Sequence, residues 1–542
     1  MEKEKDLKLR SLINRLDIHL AGLQTDLRTI NLANQVSRHS QVHEDKQPIL
    51  VFNASTRLNT LSQNAGFAML AGWALQLSGH PVVHFLCHAG MTRCVLGTDQ
   101  DDFSKEPPCR SCIRQSQINT HASKVYNFQY NEDAALHKLL DSLTLDELRS
   151  FEHLFGEMSI PLGKLVLPSI RWRLRRSQLV DDENTRYLYR QYILSASSVA
   201  HQFQKALIQY HPEAVLVFNG QFFPEAVVCF ISRTLGIRCI THEVGMQPLS
   251  GFFTEGEATA YPVDMPEDFS LDPLQEARLD DYLARRIQGD FTMAGIRFWP
   301  DMKPLSPGFL QKAARFKQIV PIFTNVIFDT SQPHSNTVFM DMFSWLDQLI
   351  PLIRNHRETL FVLRAHPDEK RSGKASQESV STWVSNHQAD KLDNLLFVDS
   401  LEFISSYDLI SRSKFVMIYN STIGMEAAVM GKVVLAAGRA RFSPYNMVFF
   451  PQTPEEYFDK FENLLVVESL ETPPEFRLNA RRFLYFLLYR AVIPFNDFLE
   501  PSSVPGVIQL SKFRWKDINY SKPMQTVVSG IVDGTPFVFS QE

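Results

Sequence analysis

The strongest constraint on the fold is a recurring alternation of short apolar runs with helix-like segments. Residues 214–218 (AVLVF) read as a buried strand, and Asn219-Gly220 turns the chain. Residues 224–235 (PEAVVCFISRTL) read as a helix opening on Pro, which suits a first helical position. Gly236 stops it, and 238–241 (RCIT) is the next strand. The same rhythm occurs earlier, with strand 48–53 (PILVFN), helix 64–77 and strand 81–86 (PVVHFL). Strand, helix, strand at this spacing calls for parallel pairing, because parallel neighbours need a crossover. A second series starts at 319–324 (IVPIFT) and continues through 359–364 (TLFVLR), 395–398 (LLFV), 415–418 (FVMI) and 433–436 (VVLA). At 542 residues the chain has room for more than one domain. Two parallel sheets joined by a Pro-bearing linker (FWPDMKPLSPGF) make a cleft, and ligands in such sheets bind at strand carboxyl ends.

Composition removes several classes of function. Fifty-five Lys and Arg against 60 Asp and Glu leave a net charge of −5, so no overall basic field draws the chain to nucleic acid. A hydrophobic content of 44% is that of a globular protein rather than a disordered one. No apolar run approaches the ~18 residues of a membrane span. The opening MEKEKDLKLR lacks the apolar core of a signal peptide, so a cytoplasmic protein is expected.

Leu9, Ile13, Leu16, Leu20, Leu23, Leu27 and Ile30 alternate spacings of four and three. This seam packs a helix on its own domain or pairs it with a second copy through residues 9–30. The basic run 171–176 (RWRLRR) reads as a solvated helix end or as a contact to anionic lipid or an acidic glycan. The run 483–489 (FLYFLLY) is too short to span a membrane, and either packs across both domains or rests peripherally on a membrane face.

Three clusters at strand ends carry candidate chemistry. Asn420, Ser421, Thr422, Gly424 and Glu426 follow the strand FVMI and open a helix. Ser and Thr are natural N-caps, and a helix N-terminus attracts phosphate. Gly424 lets a ligand approach the backbone, and Glu426 lies a turn on, placed to accept bonds from ribose hydroxyls. The alternative is a plain capped helix with an acidic first turn. Arg364, His366 and Pro367 follow TLFVL, and Pro367 keeps His366 out of helical geometry. They pair with phosphate or form a surface turn. His242 and Glu243 end a strand of the first series, as a general base for a hydroxyl or as a turn cluster.

The stretch YNSTIGMEAAVMGKVVLAAG, with RAHPDE upstream, resembles the capsule-polysaccharide and Kdo-transferase type of bacterial glycosyltransferase. The resemblance runs from about residue 215 to 440, and the N-terminal helix and the Cys-rich segment lie outside it. It implies an α/β chain of two Rossmann-like domains facing across a cleft, the GT-B arrangement. The implied divisions are an N-terminal helix (1–45), an acceptor domain (46–298) with a Cys-rich insertion (87–124), a linker (299–318), a nucleotide-sugar domain (319–472) and a closing helix with tail (473–542). It implies a CMP-, UDP- or GDP-linked sugar donor held by His366-Pro367 and Ser421-Thr422, with Glu426 as the acid of the following turn. The acceptor is a surface polysaccharide or a lipid-linked glycan. A sugar-nucleotide epimerase or glycerophosphate-type transferase of the same fold, and a non-catalytic scaffold of a glycan assembly complex, stay open.

Cys87, Cys94, Cys109 and Cys112 fall within 26 residues and include a C-x-x-C pair. They read as a structural zinc site, as reduced thiols packed in a loop, or as a redox pair. No carboxylate and His set has the spacing of a catalytic metal, so transfer without a metal ion is expected.

Overall fold

The computed structural model describes residues 2–43, 45–53, 60–287, 302–371, 375–502 and 507–540, with side chains from residue 20 onward. Two open sheets organise it. The first lobe contains β1 (Ile49–Asn53), β2 (Val82–Cys87) and β3 (Lys124–Phe128), then a small hairpin of β4 (His153–Phe155) and β5 (Met158–Ile160). It continues with β6 (Ala214–Phe218), β7 (Arg238–Val244) and β8 (Ser250–Thr254). The second lobe contains β9 (Gln318–Phe323), β10 (Thr359–Arg364), β11 (Leu395–Val398), β12 (Val416–Ile418) and β13 (Val434–Ala436). The chain then returns to the first lobe as β14 (Ile493–Pro494).

The first sheet runs β14-β8-β7-β6-β1-β2-β3, and the second runs β11-β10-β9-β12-β13. All pairs of the second sheet are parallel. In the first, only β8 departs, running antiparallel to both β7 and β14. Strand order reverses between β1 and β6 in one lobe and between β9 and β12 in the other. The expected class, two Rossmann-like lobes facing across a cleft, is the one the chain adopts.

The strands are short and apolar because both faces are covered. All six residues of β10 are buried. Phe52, Phe85 and Phe128 stack across β1, β2 and β3 at centroid distances of 5.3 and 4.8 Å, which explains part of the chain's high Phe content. Helix α2 (Gln63–Leu77) starts at Ser62, whose hydroxyl accepts from the Ala65 N–H. Helix Pro474–Tyr489 buries Phe483, Leu484, Tyr485, Phe486, Leu487 and Leu488. It packs in one apolar cluster with Phe252 and Val263 of the first lobe and Ala427 and Ala428 of the second. The run FLYFLLY is thus interior. No helix among the described residues is long and apolar enough to cross a membrane.

Three sequence expectations change. The segment after residue 472 is more than a helix and a tail: β14 extends the first sheet, and helix Lys522–Val532 packs against α2. The basic run is not a solvated end, since Arg173 bonds the Val95 carbonyl at 2.7 Å and burial pulls the Arg171 guanidinium below its ordinary value. The Leu seam is not the face that packs α1 (Glu2–His39). Thr25, Thr29, Leu32, Ala33 and Val36 are buried, whereas Leu20, Leu23 and Leu27 are exposed. Leu9, Ile13 and Leu16 lie outside the described side chains.

Candidate functional site

The strand ends of the two lobes enclose a cavity of ≈ 820 Å³ at the β9/β12 switch point. Arg364, His366, Pro367, Asn420, Ser421, Thr422 and Glu426 all line it, and Val244 and Gly245 close it from the first lobe. The two sequence clusters of the second series therefore share one crevice.

His366 is placed by its own loop. Its backbone N–H donates to Thr324 Oγ1 at 3.1 Å, and its Nδ1 accepts from the Asp368 N–H at 3.1 Å. Accepting at Nδ1 puts the proton of the neutral ring on Nε2. Burial holds its pKa below the ordinary value, with Arg364 acting the same way. The residue is thus a neutral N–H donor near pH 7. Arg364 is buried, bonds the Ile404 carbonyl at 2.7 Å and has its pKa pulled to about 10 by burial.

Thr422 occupies the N-cap of helix Ile423–Val429 but makes no side-chain capping bond, so its hydroxyl stays available to a ligand. Asn420 is occupied: its Oδ1 accepts from Asn325 Nδ2 at 2.5 Å, and its amide donates to Ser335. It ties the β12 loop to the β9 loop. Glu426 is also engaged. Oε1 accepts from Arg286 at both Nε (3.0 Å) and Nη2, and Oε2 accepts from Tyr407 OH at 2.6 Å. Its oxygens line the cavity already bonded, so any ribose contact is shared with that pair.

Gly424 does not serve close approach of a ligand. It is buried outside the cavity lining, and a Cβ there would stand 2.4 Å from Ile418 Cδ1. The glycine lets the helix settle on β12. Gly424→Ala is expected to cost about 1–3 kcal/mol by overpacking, read as a lower urea midpoint at unchanged slope.

His242 and Glu243 separate. Side chains alternate along a strand, so adjacent residues face opposite ways. His242 is buried, stacks on Phe253 at 5.4 Å and lines a second cavity of ≈ 290 Å³ inside the first lobe. Burial pulls its pKa to about 3, and it does not line the interlobe cavity. The expectation that it serves as a base facing the donor is corrected by this placement. Glu243 lines neither cavity, but it bonds to residues that line each of them. Oε2 accepts from Asn219 Nδ2 at 2.8 Å, and Oε1 accepts from the Val244 N–H at 2.8 Å and from Asn64 Nδ2 at 3.3 Å. Asn64 lines the inner cavity and Val244 the interlobe one. Burial pushes the Glu243 carboxyl above its ordinary value, and the Asp329 charge adds to this.

Asp329, His334, Arg439 and Arg441 line the cavity and were not singled out in the sequence. Asp329 follows β9 and the two arginines follow β13, so the strand-end rule applied to every strand finds them. Arg441 lies over the Tyr261 ring at 3.9 Å, and His334 Nε2 meets Thr259 Oγ1 of the other lobe at 3.0 Å. Arg286 had no local signal, because its partner is 140 residues away.

Cys87 ends β2, Cys94 lies in the following loop, and Cys109 and Cys112 open α3 (Cys109–Asn119). None lines the interlobe cavity. Among the described residues, no three or more His, Cys, Asp or Glu side chains stand close enough to share a single ion.

Residues 317–447 match the model of a family described as "Capsule polysaccharide biosynthesis protein". That span holds every second-lobe loop of the interlobe cavity between Phe323 and Tyr445. No curated protein matches the chain. Among solved structures, the Thermosulfurimonas dismutans KpsC beta Kdo 2,4 transferase is 11% identical, with 52% of this chain and 80% of that one covered at a TM-score of 0.34. The beta Kdo 2,7 transferase of KpsC from the same organism is 13% identical, with coverages of 59% and 87% and a TM-score of 0.31. Sucrose-phosphate synthase from Thermosynechococcus elongatus is 12% identical, with coverages of 82% and 95% and a TM-score of 0.28.

Proposed function

We propose that the chain is a glycosyltransferase that moves a sugar from a nucleotide-activated donor to a hydroxyl of a glycan acceptor in surface-polysaccharide assembly. The supporting observation is the shared cavity: a neutral N–H donor, an unengaged Thr hydroxyl and two arginines converge on it from the second lobe, opposite a first-lobe wall at Val244 and Gly245, and the half-buried carboxylate of Glu243, which does not itself line the cavity, is bonded to the Val244 N–H of that wall.

In this reading the donor phosphate accepts from His366 Nε2 and from the Ser421 and Thr422 hydroxyls. Arg439 and Arg441 neutralise the charge that grows on the leaving phosphate. The acceptor hydroxyl approaches from the first lobe. Its oxygen bonds to the anomeric carbon, the bond from that carbon to the phosphate oxygen breaks, and the hydroxyl proton passes to Glu243. The nucleotide leaves as its mono- or diphosphate. Holding both substrates in one crevice supplies much of the rate. Asp329 lines the cavity along with Asp368 and the paired Glu426, and its charge acts on both Glu243 and His366.

The test is calorimetric titration with CMP, UDP and GDP, followed by assay of the matching nucleotide sugars with and without acceptor. One of the three is expected to bind. His366→Ala is expected to weaken it about tenfold or more, the loss of one hydrogen bond to a charged group. An epimerase would turn over its donor with no acceptor present, and a scaffold would bind none of the three.

A further inference from the structure

The first lobe carries a cavity of its own that the transfer step leaves unused. Strand order in the first sheet reverses between β1 and β6, and a parallel sheet opens a crevice at the carboxyl ends of such a pair. The cavity of ≈ 290 Å³ stands there. Phe52 and Asn53 end β1, Phe218 ends β6, and His242 comes from β7 beside them. Leu96 is 44% exposed, and Asn53, Asn64 and Phe222 are half-buried, so the cavity has a mouth on the surface. Its volume is that of about ten waters at ~30 Å³ each, the size of one sugar ring and too small for a nucleotide.

Two polar groups on its wall lack partners. His242 is 1% exposed, and its ring touches only the rings of Phe67, Phe218 and Phe253 among the described residues. Its Nδ1 is buried with no hydrogen-bond partner. Asn64 Oδ1 is in the same condition, while Asn64 Nδ2 donates to Glu243 Oε1 at 3.3 Å. Buried polar atoms are nearly always bonded, and two orphans around one open cavity call for a ligand that carries donors. Burial holds the His242 and His84 rings neutral, with pKa values pulled to about 3 and about 4. Asn53 Nδ2 donates to His84 Nδ1 at 3.2 Å, which leaves the His84 proton on Nε2.

Charge narrows the ligand further. Among the described lining residues there is no Lys or Arg, and Glu225 adds a buried carboxyl. A phosphate, sulfate or carboxylate finds no cation here. What the wall offers is amides, hydroxyls and neutral imidazoles between the faces of Phe218 and Phe222. That set suits an uncharged molecule with hydroxyls on its edge and C–H groups on its face. We infer that this cavity holds the end residue of the acceptor, an uncharged sugar ring, with Asn64 linking it to Glu243. The inference rests on the transferase reading of the interlobe cavity and adds the class of acceptor: a glycan that ends in a neutral sugar rather than an acidic one or a bare lipid phosphate.

The experiment is saturation-transfer NMR of the full-length protein with methyl glycosides of glucose, galactose, mannose and N-acetylglucosamine, and with methyl glucuronide as the charged control. At least one neutral glycoside is expected to bind, the glucuronide is not, and the bound glycoside is expected to inhibit transfer in competition with acceptor but not with donor. Ala68→Leu, at a buried lining residue, fills the cavity and is expected to abolish the signal. His242→Phe keeps a ring among aromatic neighbours and removes the nitrogens. It is expected to hold or raise the thermal midpoint, yet to raise the acceptor KM about fivefold while kcat and nucleotide affinity stay within about twofold. No binding of any neutral glycoside, a preference for the glucuronide, a signal unchanged in both variants, or competition with donor overturns the inference. Binding needs no turnover, so a failure here with nucleotide binding intact falls on this inference alone. Glycoside binding in a protein that takes no nucleotide overturns the transferase reading instead and keeps the sugar site.

Discussion

Glu243→Gln is expected to reduce transfer by about 10²–10⁴-fold while nucleotide affinity stays within twofold of the parent. The carboxylate is placed by three donors and stands beside residues of both cavities. Gln keeps the size and removes the proton acceptor, so the loss falls on kcat. The pH profile is a second signature. Burial and the Asp329 charge raise the Glu243 carboxyl above the ordinary carboxylate value, while the Val244, Asn219 and Asn64 donors act downward. A base works only when ionised, so kcat/KM rises with pH through a midpoint above the ordinary range. Asp329→Asn removes a like charge and should move that midpoint down. A profile flat across that region, or Glu243→Gln with full activity, contradicts the assignment. Thermal unfolding of the variant separates loss of chemistry from loss of fold.

Arg286→Met is expected to destabilise the protein by about 3–5 kcal/mol, because it leaves Glu426 as an uncompensated buried charge. The side chains of Arg286 and Glu426 are 9% and 6% exposed, and Tyr407 completes the group. The paired carboxylate holds the guanidinium well above its ordinary value, so the ion pair persists across the physiological range. Replacing both residues with Met is expected to recover most of the loss, since well-packed apolar groups often match a buried pair. Urea unfolding of the two single variants and the double variant gives the coupling directly. The pair also joins helix Pro273–Ile287 to the helix that opens on Thr422, so the single variants are expected to weaken nucleotide binding along with stability.

The sheets were legible because each strand is a short apolar run bounded by turn residues. AVLVF, TLFVLR and FVMI appear as β6, β10 and β12 within a residue or two. β3 was not, since KVYNF alternates and its residues are largely exposed, and it reads as loop without its neighbour β2. β8 was missed for another reason: SGFFT carries a Gly that the sheet needs, because a Cβ at Gly251 would stand 2.8 Å from a Phe253 ring carbon. At the site, residues directly after parallel strands were findable, and His366 and Thr422 share the cavity that their positions suggested. His242 was misplaced because strand alternation turns it inward while its neighbour Glu243 faces the other way. Arg286 and Tyr407 owe their roles to contacts between distant segments, which no local pattern encodes.

The central claim is that the phosphate of an activated sugar rests between His366 and Thr422 in the interlobe cavity. Photo-crosslinking with azido-substituted nucleotides, followed by peptide mapping, reads this directly. Label is expected on peptides containing residues 364–371, 419–426 or 439–445, competed by the unmodified nucleotide and reduced in His366→Ala. Competable label confined to the inner cavity of the first lobe, or no competable label with any nucleotide, would contradict it.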